Sequence, residues 1–256
     1  MRQKAIFDGW SPISQFQAED IFIVSYPKSG ATWFQNLIAG VVYGVNTKFS
    51  PPALTHELTP DVHYNAYYRR YATTMLFKSH ALPCPDYRRV VYLLRDGRDV
   101  MVSYHRYREA IDKTKIDFLK FVSPETDLFP CHWGEHADAW AKNPHAARIL
   151  LIKYEDLVHE PVKQLERFCL FAGIVRDAEH LLAVAETNSF RNLREKEAQM
   201  GFGRADHAIG GPFFFRRGVV GSHKDEMPPE VAKVFLSHAG ETLRRCGYLN
   251  CVERVK

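Results

Sequence analysis

The residues best suited to chemistry lie in Tyr26-Pro-Lys-Ser-Gly-Ala-Thr-Trp33, between an apolar stretch and an amphipathic one. Gly30 permits close backbone approach, Lys28 carries a positive charge, and Ser29 and Thr32 carry hydroxyl donors. The first amides of a helix are unpaired, and the helix dipole favours an anion beside them. The segment therefore predicts a phosphate-binding loop. An ordinary strand–turn–helix corner with Lys28 in solvent is the alternative.

Two further basic segments could hold a second anion. Arg95 follows another apolar stretch, with Ser103 eight residues later. Arg216 and Arg217 precede Gly218 in a glycine-rich stretch. A guanidinium can grip a phosphate through two parallel N–H groups. Taken alone, each segment is explained as well by solvated surface charge.

The segment Cys131-His-Trp-Gly-Glu-His136 suggests a different chemistry, because it contains the zinc-protease pattern H-x-x-E-H. On a helix, His132 and His136 would lie four residues apart on one face, with Glu135 as a base. The pattern lacks an identifiable third ligand, and Trp133 and Trp140 indicate a packed helix. A zinc hydrolase is therefore a weak alternative.

Alternating strands and helices must position these residues. Apolar runs predict strands, and apolar positions at helical spacing predict the helices between them. The predicted strands are Ile21–Ser25, Met75–Lys78, Val90–Leu94 and Ile149–Lys153, and the predicted helices span 31–43, 98–113, 161–172 and 229–246. This order predicts an α/β fold with a parallel sheet covered on both faces. The ligand then belongs at the carboxyl ends of the strands. In residues 46–74 the apolar positions follow neither a helical nor a strand-like period, so we expect an irregular segment there.

Composition limits the class of protein. The chain has 256 residues, 46% hydrophobic and 25% charged, which is typical of a globular protein. Five cysteines without a C-x-x-C pair argue against a disulfide framework and fit a reducing compartment. The sequence shows neither a signal peptide nor a run near the roughly 18 apolar residues of a membrane span, so we expect a cytoplasmic protein. The net charge of +4 is spread along the chain, which argues against nucleic acid as a partner.

Five segments, in order, carry a family resemblance. YPKSGATW, KSH, RDGRDVMVSY, YEDL and RRGVVG resemble motifs of the soluble sulfotransferases that use 3′-phosphoadenosine 5′-phosphosulfate (PAPS). They extend from Tyr26 to Gly221, most of the chain. The resemblance implies one α/β domain over residues 1–256, with a central parallel sheet flanked by helices and a fold related to P-loop kinases. It also implies a variable acceptor-side segment at 46–74 and a donor-binding lid loop at 198–224.

The resemblance implies a role for each matched residue. The loop would bind the donor's 5′-phosphate, two aromatic rings would enclose the adenine, and the arginines would bind the 3′-phosphate. The implied donor-binding residues are Lys28, Ser29, Gly30, Ala31, Thr32, Trp33, Arg95, Ser103, Tyr154, Ser189, Phe190, Arg216, Arg217 and Gly218. Ala31 stands where the family usually has threonine, so one hydroxyl is lost while the amide remains. The family's usual dimer motif has no match, so the sequence leaves the oligomeric state open.

The resemblance also points to a base within Leu76-Phe-Lys-Ser-His80. Imidazole has an unperturbed pKa of about 6.5, which suits proton removal from a hydroxyl near neutral pH. His80 is therefore the expected general base. Lys28 and Lys78 would stabilise charge during in-line transfer, without a metal. The products would be a sulfated acceptor and the desulfated nucleotide PAP.

The sequence specifies the acceptor less well than it specifies the donor. The segment 46–74 is rich in rings, namely Phe49, His56, His63, Tyr64, Tyr67, Tyr68 and Tyr71. These rings favour a small aromatic or apolar acceptor with a hydroxyl group, although a purely structural cluster explains them nearly as well. A nucleotide kinase remains the nearer alternative, but its GK[ST] turn is absent. A nucleotide-binding protein without catalysis would not need His80.

Overall fold

A four-stranded parallel sheet forms the centre of the computed structural model, which describes residues 9–201 and 214–249. In chain order the strands are β1 (Trp10–Pro12), β2 (Ile21–Ser25), β3 (Tyr67–Arg69), β4 (Leu76–Ser79), β5 (Arg89–Leu94) and β6 (Arg148–Lys153). The sheet order is β4-β2-β5-β6, while β1 and β3 form a separate antiparallel pair. The four predicted strands and the α/β fold class are confirmed.

The strand register brings the predicted site residues to one edge. Val24 of β2 is level with Ser79 of β4, and Ser25 is level with Leu93 of β5. Because the strands are parallel, the segments that follow them leave the sheet on the same side. The loop after Ser25, the residue His80 and the residue Arg95 therefore share one edge.

Eleven helices are present in the described ranges. They are α1 (Ala31–Tyr43), α2 (Pro52–Leu58), α3 (Gly97–Asp112), α4 (Phe118–Val122), α5 (Trp133–Lys142), α6 (Tyr154–His159), α7 (Pro161–Ala172), α8 (Ala178–Thr187), α9 (Phe190–Met200), α10 (His223–Glu226) and α11 (Pro229–Arg245). None of these helices is long and apolar enough to cross a membrane.

Helices pack on both faces of the sheet, as the buried strands require. Alternate side chains of a strand point to opposite faces. On one face, Phe22 belongs to a core cluster that includes Trp133 of α5 and Phe235 of α11. On the other face, Ile23 belongs to a cluster that includes Phe34 of α1 and Phe168 of α7. The sheet is thus the middle layer of three.

Local signals explain several helix ends. The Asp96 carboxylate accepts the Arg98 amide at 2.9 Å and begins α3, as expected of an N-cap aspartate. Gly173, with a φ of 73°, ends α7 where the sequence predicts its end.

Other parts of the fold differ from the prediction. Residues 46–74, expected to be irregular, contain α2 and β3. The helices α8 and α9 were not predicted, although Asp177 and Ser189 cap them. Seven of the eleven residues of α9 are polar or charged, so few apolar positions mark it as a helix in the sequence.

Candidate functional site

A single cavity of about 650 Å³ lies at the carboxyl edge of the sheet and gathers almost all the predicted site residues. Its lining includes Lys28, Gly30, Ala31, Thr32, Trp33, Lys78, His80, Arg95, Ser103, Tyr154, Ser189, Phe190, Arg216, Arg217 and Gly218. Ser29 is not part of the lining. Its hydroxyl is buried and has no hydrogen-bond partner among the described residues. These side chains come from the connections β2–α1, β5–α3 and β6–α6, from the end of β4, from the junction of α8 and α9, and from the segment that follows residue 213.

The loop between β2 and α1 has a backbone conformation that few residue types can adopt. Lys28 and Gly30 both have positive φ, at 70° and 100°. A Cβ on Gly30 would lie 2.8 Å from the Tyr154 ring, so only glycine fits there. Phe34 N–H donates to Gly30 O at 3.0 Å, which leaves the amides of residues 31–33 without an intrahelical acceptor. The loop can therefore bind an anion.

Lys28 lies among aromatic rings and other cations. Its Nζ is 3.5 Å from the ring centre of Phe214 and 4.2 Å from that of Tyr107. Burial, together with the positive charges of Lys78 and Arg95, holds the pKa of Lys28 well below its usual value. The cavity thus brings together basic side chains whose mutual repulsion an anionic ligand would offset.

Arg95 joins the loop to the segment after residue 213. Its guanidinium donates to Lys28 O at 3.1 Å and to Val219 O at 3.2 Å. It also lies over the Tyr154 ring, 4.3 Å from the ring centre. Its Nε is buried without a hydrogen-bond partner in the described parts of the chain. The side chain is fixed in place while one donor remains available.

Glu226 holds the two neighbouring arginines. Its carboxylate accepts from Arg216 at 2.6 and 2.9 Å and from Arg217 at 2.6 Å. Burial raises the pKa of Glu226, but these hydrogen bonds outweigh it, so the pKa lies below its usual value. The two guanidinium groups therefore stay at the cavity wall with their charges partly balanced.

Gly218 brings the backbone against the Phe190 ring. A Cβ at Gly218 would lie 2.1 Å from that ring, and its φ is 65°. Across the cavity, the Trp33 indole N–H donates to Asn188 O at 2.9 Å, which fixes the orientation of the ring. Trp33 and Phe190 are therefore two fixed aromatic surfaces lining the same cavity.

His80 follows β4 and is buried. Its Nδ1 lies 2.7 Å from Ser25 O, and because a carbonyl only accepts, this nitrogen carries the proton. The Nε2 lone pair is then available. Burial, followed by the charge of Lys78, lowers the pKa of His80 to about 3. The imidazole is neutral at pH 7, in the tautomer that a base requires.

Lys78 makes an ion pair that the sequence did not predict. Its Nζ is 2.9 Å from Asp61 Oδ2, and both side chains are buried. Residues 60–62 run beside β4, since Lys78 N–H donates to Pro60 O and Val62 N–H donates to Lys78 O. Asp61 reaches the cavity only because residues 60–62 pair with β4. No local sequence motif identifies Asp61 as a site residue.

The H-x-x-E-H pattern does not form a metal site. His132 Nε2 bonds Pro124 O at 3.1 Å. His136 is fully buried, where its ring nitrogens bond Tyr92 OH and His80 O. Within residues 9–201 and 214–249, no three His, Cys, Asp or Glu side chains could jointly hold a metal ion. The zinc-hydrolase alternative is therefore wrong, because the helix directs its two histidines to different surroundings.

The acceptor-side prediction holds only in part. Of the seven rings named in 46–74, His56 and Tyr64 line the cavity. Tyr68 instead packs in the core, and Tyr71 donates to Leu58 O. Phe129, which the sequence did not single out, also lines the cavity. Residues 202–213 of the predicted lid lie outside the described residues.

The far end of the predicted lid is attached to α3. The Asp99 carboxylate accepts the amides of Gly221 at 2.7 Å and His223 at 2.9 Å. Asp99 is fully buried, and its pKa is about 2 because these bonds and the His223 side chain outweigh burial. This attachment fixes the backbone that carries Arg216 to Gly218.

Comparison with known proteins gives a consistent result. The family model described as "Sulfotransferase domain" matches residues 18–247. Cytosolic sulfotransferase 11 of Arabidopsis thaliana is 29% identical over 247 residues, covering 84% of this chain and 70% of that protein. The mouse sulfotransferase SULT7A1 complexed with PAP has a TM-score of 0.65 at 23% identity, covering 91% of this chain and 89% of that one. Retinol dehydratase in complex with androsterone and inactive cofactor PAP has a TM-score of 0.67 at 20% identity, covering 90% and 82%.

Proposed function

We propose that this chain, which belongs to the sulfotransferase domain family, transfers a sulfuryl group from PAPS to a hydroxyl group of a small acceptor. One observation carries the proposal. The anion-binding loop, the arginines and the neutral His80 imidazole all line the same cavity. A transferase of this kind needs a nucleotide donor and a base within reach of each other.

The chemistry of the cavity lining fits the donor. PAPS presents anionic oxygens, which accept hydrogen bonds, and an adenine ring, which stacks. The buried Ser29 hydroxyl and Arg95 Nε lack hydrogen-bond partners among the described residues, which leaves two polar atoms beside the loop unsatisfied by the protein alone. The free amides at the start of α1 and the rings of Trp33 and Phe190 complement the phosphate and the adenine.

The assignment of the donor's two ends follows the resemblance of the loop and of the arginine segments to the family's motifs. We assign the 5′-phosphate to the loop residues Lys28, Ser29, Gly30 and Thr32 with the Ala31 amide, and the 3′-phosphate to Arg95, Ser103, Arg216, Arg217 and Gly218. Tyr154 and Ser189 complete the lining near the adenine. The solved relative SULT7A1, complexed with PAP, supports a nucleotide of this type.

The transfer follows from the tautomer of His80. The Nε2 atom accepts the acceptor's hydroxyl proton while the acceptor oxygen forms a bond to sulfur. The bond between sulfur and the phosphate oxygen breaks, and its electron pair leaves with PAP. Lys28 and Lys78 stabilise the negative charge that develops on the sulfuryl and leaving oxygens. A bound anionic donor would raise the pKa of His80, because its negative charge favours the protonated imidazole.

We infer an acceptor with an apolar frame and one reactive hydroxyl, such as a phenol or a sterol-like alcohol. Phe129, Tyr64 and Tyr104 line the cavity near the base. Retinol dehydratase, solved with androsterone, supports an acceptor of this class. The name of the Arabidopsis relative, a cytosolic sulfotransferase, supports our expectation of a cytoplasmic enzyme.

Calorimetric titration of the EDTA-treated protein with PAP tests the proposal, with ATP as the comparison ligand. We expect micromolar or tighter binding of PAP and much weaker binding of ATP, because only PAP carries the 3′-phosphate. Binding of ATP without binding of PAP would contradict the donor assignment and favour a kinase. Sulfuryl transfer from labelled PAPS to a panel of phenols and alcohols then tests the reaction itself.

A further inference from the structure

We propose that Asp61 is a positioning residue for sulfuryl transfer, which holds the Lys78 ammonium at the reacting end of the cavity. The inference rests on the proposed function. It adds a residue from the acceptor-side segment that none of the recognised motifs contains. We assign its effect to Lys78, whose ammonium lies 2.9 Å from the Asp61 carboxylate.

Both oxygens of the Asp61 carboxylate have a neighbour, although only Oδ1 accepts a hydrogen bond from the described residues and Oδ2 forms an ion pair alone. Oδ2 lies 2.9 Å from Lys78 Nζ. Oδ1 accepts the backbone N–H of His63 at 2.9 Å. The backbone around Asp61 is itself paired with β4, through bonds of 2.9 and 3.0 Å on the two sides of Lys78. The carboxylate is therefore a rigid partner for a flexible lysine.

The surrounding charges explain why Lys78 needs such a partner. Lys28 and Lys78 repel each other across the cavity, and Arg95 adds a third positive charge. A long lysine side chain with no partner would turn away from these cations. Asp61 is the buried carboxylate among the described lining residues, and it offsets this repulsion. The carboxylate thereby orients the Lys78 ammonium within the cavity.

The burial of this pair also suggests a role in function. A buried ion pair contributes little net stability, since the lost hydration of both groups opposes their attraction. Asp61 is 7% exposed and Lys78 is 8% exposed. Preorganised charge next to a transferring group, in contrast, lowers the activation barrier directly. The pair therefore serves the reaction more than the fold.

The test compares Asp61→Asn with the wild-type protein. Asparagine keeps the oxygen that accepts the His63 amide but removes the charge that faces Lys78. We expect kcat to fall at least about tenfold, with the KM for PAPS and the Kd for PAP changed by less than about threefold. Asp86→Asn removes an exposed carboxylate outside the cavity and serves as the matched control, with kcat unchanged.

A double variant separates positioning from a structural role. If Asp61 acts through Lys78, then Asp61→Asn should have little further effect on kcat in a Lys78→Met background. An equal loss in both backgrounds would overturn the inference, as would an unchanged kcat in the single variant. A loss of PAP binding that matches the loss of kcat would likewise show a structural role instead.

Two readouts keep this inference distinct from the proposed function. Turnover is measured with labelled PAPS and the best phenol or alcohol acceptor, and slow release of sulfate from PAPS is measured without any acceptor. Lys78 faces the sulfuryl group in both reactions, so Asp61→Asn should slow both. A wild-type protein that neither binds PAP nor releases sulfate would overturn the proposed function and this inference together. An active wild type with an equally active Asp61→Asn variant would overturn the inference alone.

Discussion

The Nδ1 atom of His80 lies 2.7 Å from the carbonyl oxygen of Ser25, so the end of one strand fixes the imidazole at the end of its neighbour. The hydrogen bond places the proton on Nδ1, so the lone pair of Nε2 is the one that can accept a proton. The backbone amide of His80 in turn donates to His63 Nε2 at 2.9 Å. The candidate base is therefore held by groups on two sides.

Replacing His80 tests the assignment of the base. We expect His80→Ala to lower kcat by about 10²–10⁴-fold, the range typical of a lost general base, while the Kd for PAP changes little. The measurement is turnover of labelled PAPS together with calorimetric binding of PAP. Turnover at the wild-type rate would rule out His80 as the base.

Replacing Arg95 tests the site of the 3′-phosphate. We expect Arg95→Ala to weaken PAP binding by at least about tenfold and adenosine 5′-phosphate by much less, because only PAP carries that phosphate. Arg95→Lys keeps the charge but loses the bonds to Lys28 O and Val219 O, so its loss should be intermediate. Equal losses for the two nucleotides would contradict the assignment.

Replacing Gly30 tests the shape of the loop. Gly30→Ala places a Cβ 2.8 Å from the Tyr154 ring at a φ of 100°. Gly44→Ala is a matched control, since Gly44 also has positive φ, at 66°, but has open space around its Cβ position. We expect Gly44→Ala to lower the free energy of unfolding by about 1 kcal/mol and Gly30→Ala to lower it by more. Only the Gly30 variant should lose PAP affinity, and equal behaviour of the two variants would show that the ring contact is unimportant.

The pH dependence of stability follows from two buried imidazoles. Burial lowers the pKa of His80 to about 3 and that of His136 to about 4, against 6.5 for an unperturbed histidine. Below pH 6.5 these two histidines bind protons in the unfolded chain but not in the folded chain. The stability that they contribute is therefore fully present above pH 6.5 and decreases as the pH falls toward their folded-state pKa values of about 3 and about 4. Each should lower the free energy of unfolding by about 2 kcal/mol at pH 5 relative to pH 8.

Urea unfolding between pH 8 and pH 5 measures this dependence. His80→Ala should reduce the loss of stability by about 2 kcal/mol, because one of the two imidazoles is then absent. His159→Ala removes an exposed histidine and should leave the pH dependence as it is in the wild type. A wild-type protein equally stable at both pH values would contradict the buried, neutral state of His80.

The sequence was most informative where structure is local. The strand β2, the loop after it and the helix α1 lie together in the chain, so one stretch contains the apolar run, the glycine and the helical stripe. The parallel sheet and its reactive edge follow from the same kind of pattern repeated along the chain. The family and the fold class are therefore predicted correctly, and the predicted site residues lie together, although their roles stay predictions.

The sequence was least informative where distant segments meet. Asp61 reaches Lys78 only because 60–62 pair with β4, and Phe129 reaches the cavity from a loop without a motif. The H-x-x-E-H pattern was a poor guide for a related reason. Spacing along a helix places His132 and His136 near each other, but the rest of the fold decides that His136 is buried beside Tyr92.

The bond from Arg95 to Val219 spans 124 residues, and that from Trp33 to Asn188 spans 155. These separations have a consequence for synthesis on the ribosome, which proceeds from the amino terminus. When residue 200 has been made, the loop with Lys28 and the His80 side chain already exist, but Arg216 and Arg217, which line the same cavity, do not. The nascent chain therefore lacks part of the cavity wall until the segment with Arg216 and Arg217 has emerged, and a ligand that contacts both the loop and these arginines can stabilise the fold only from that point on.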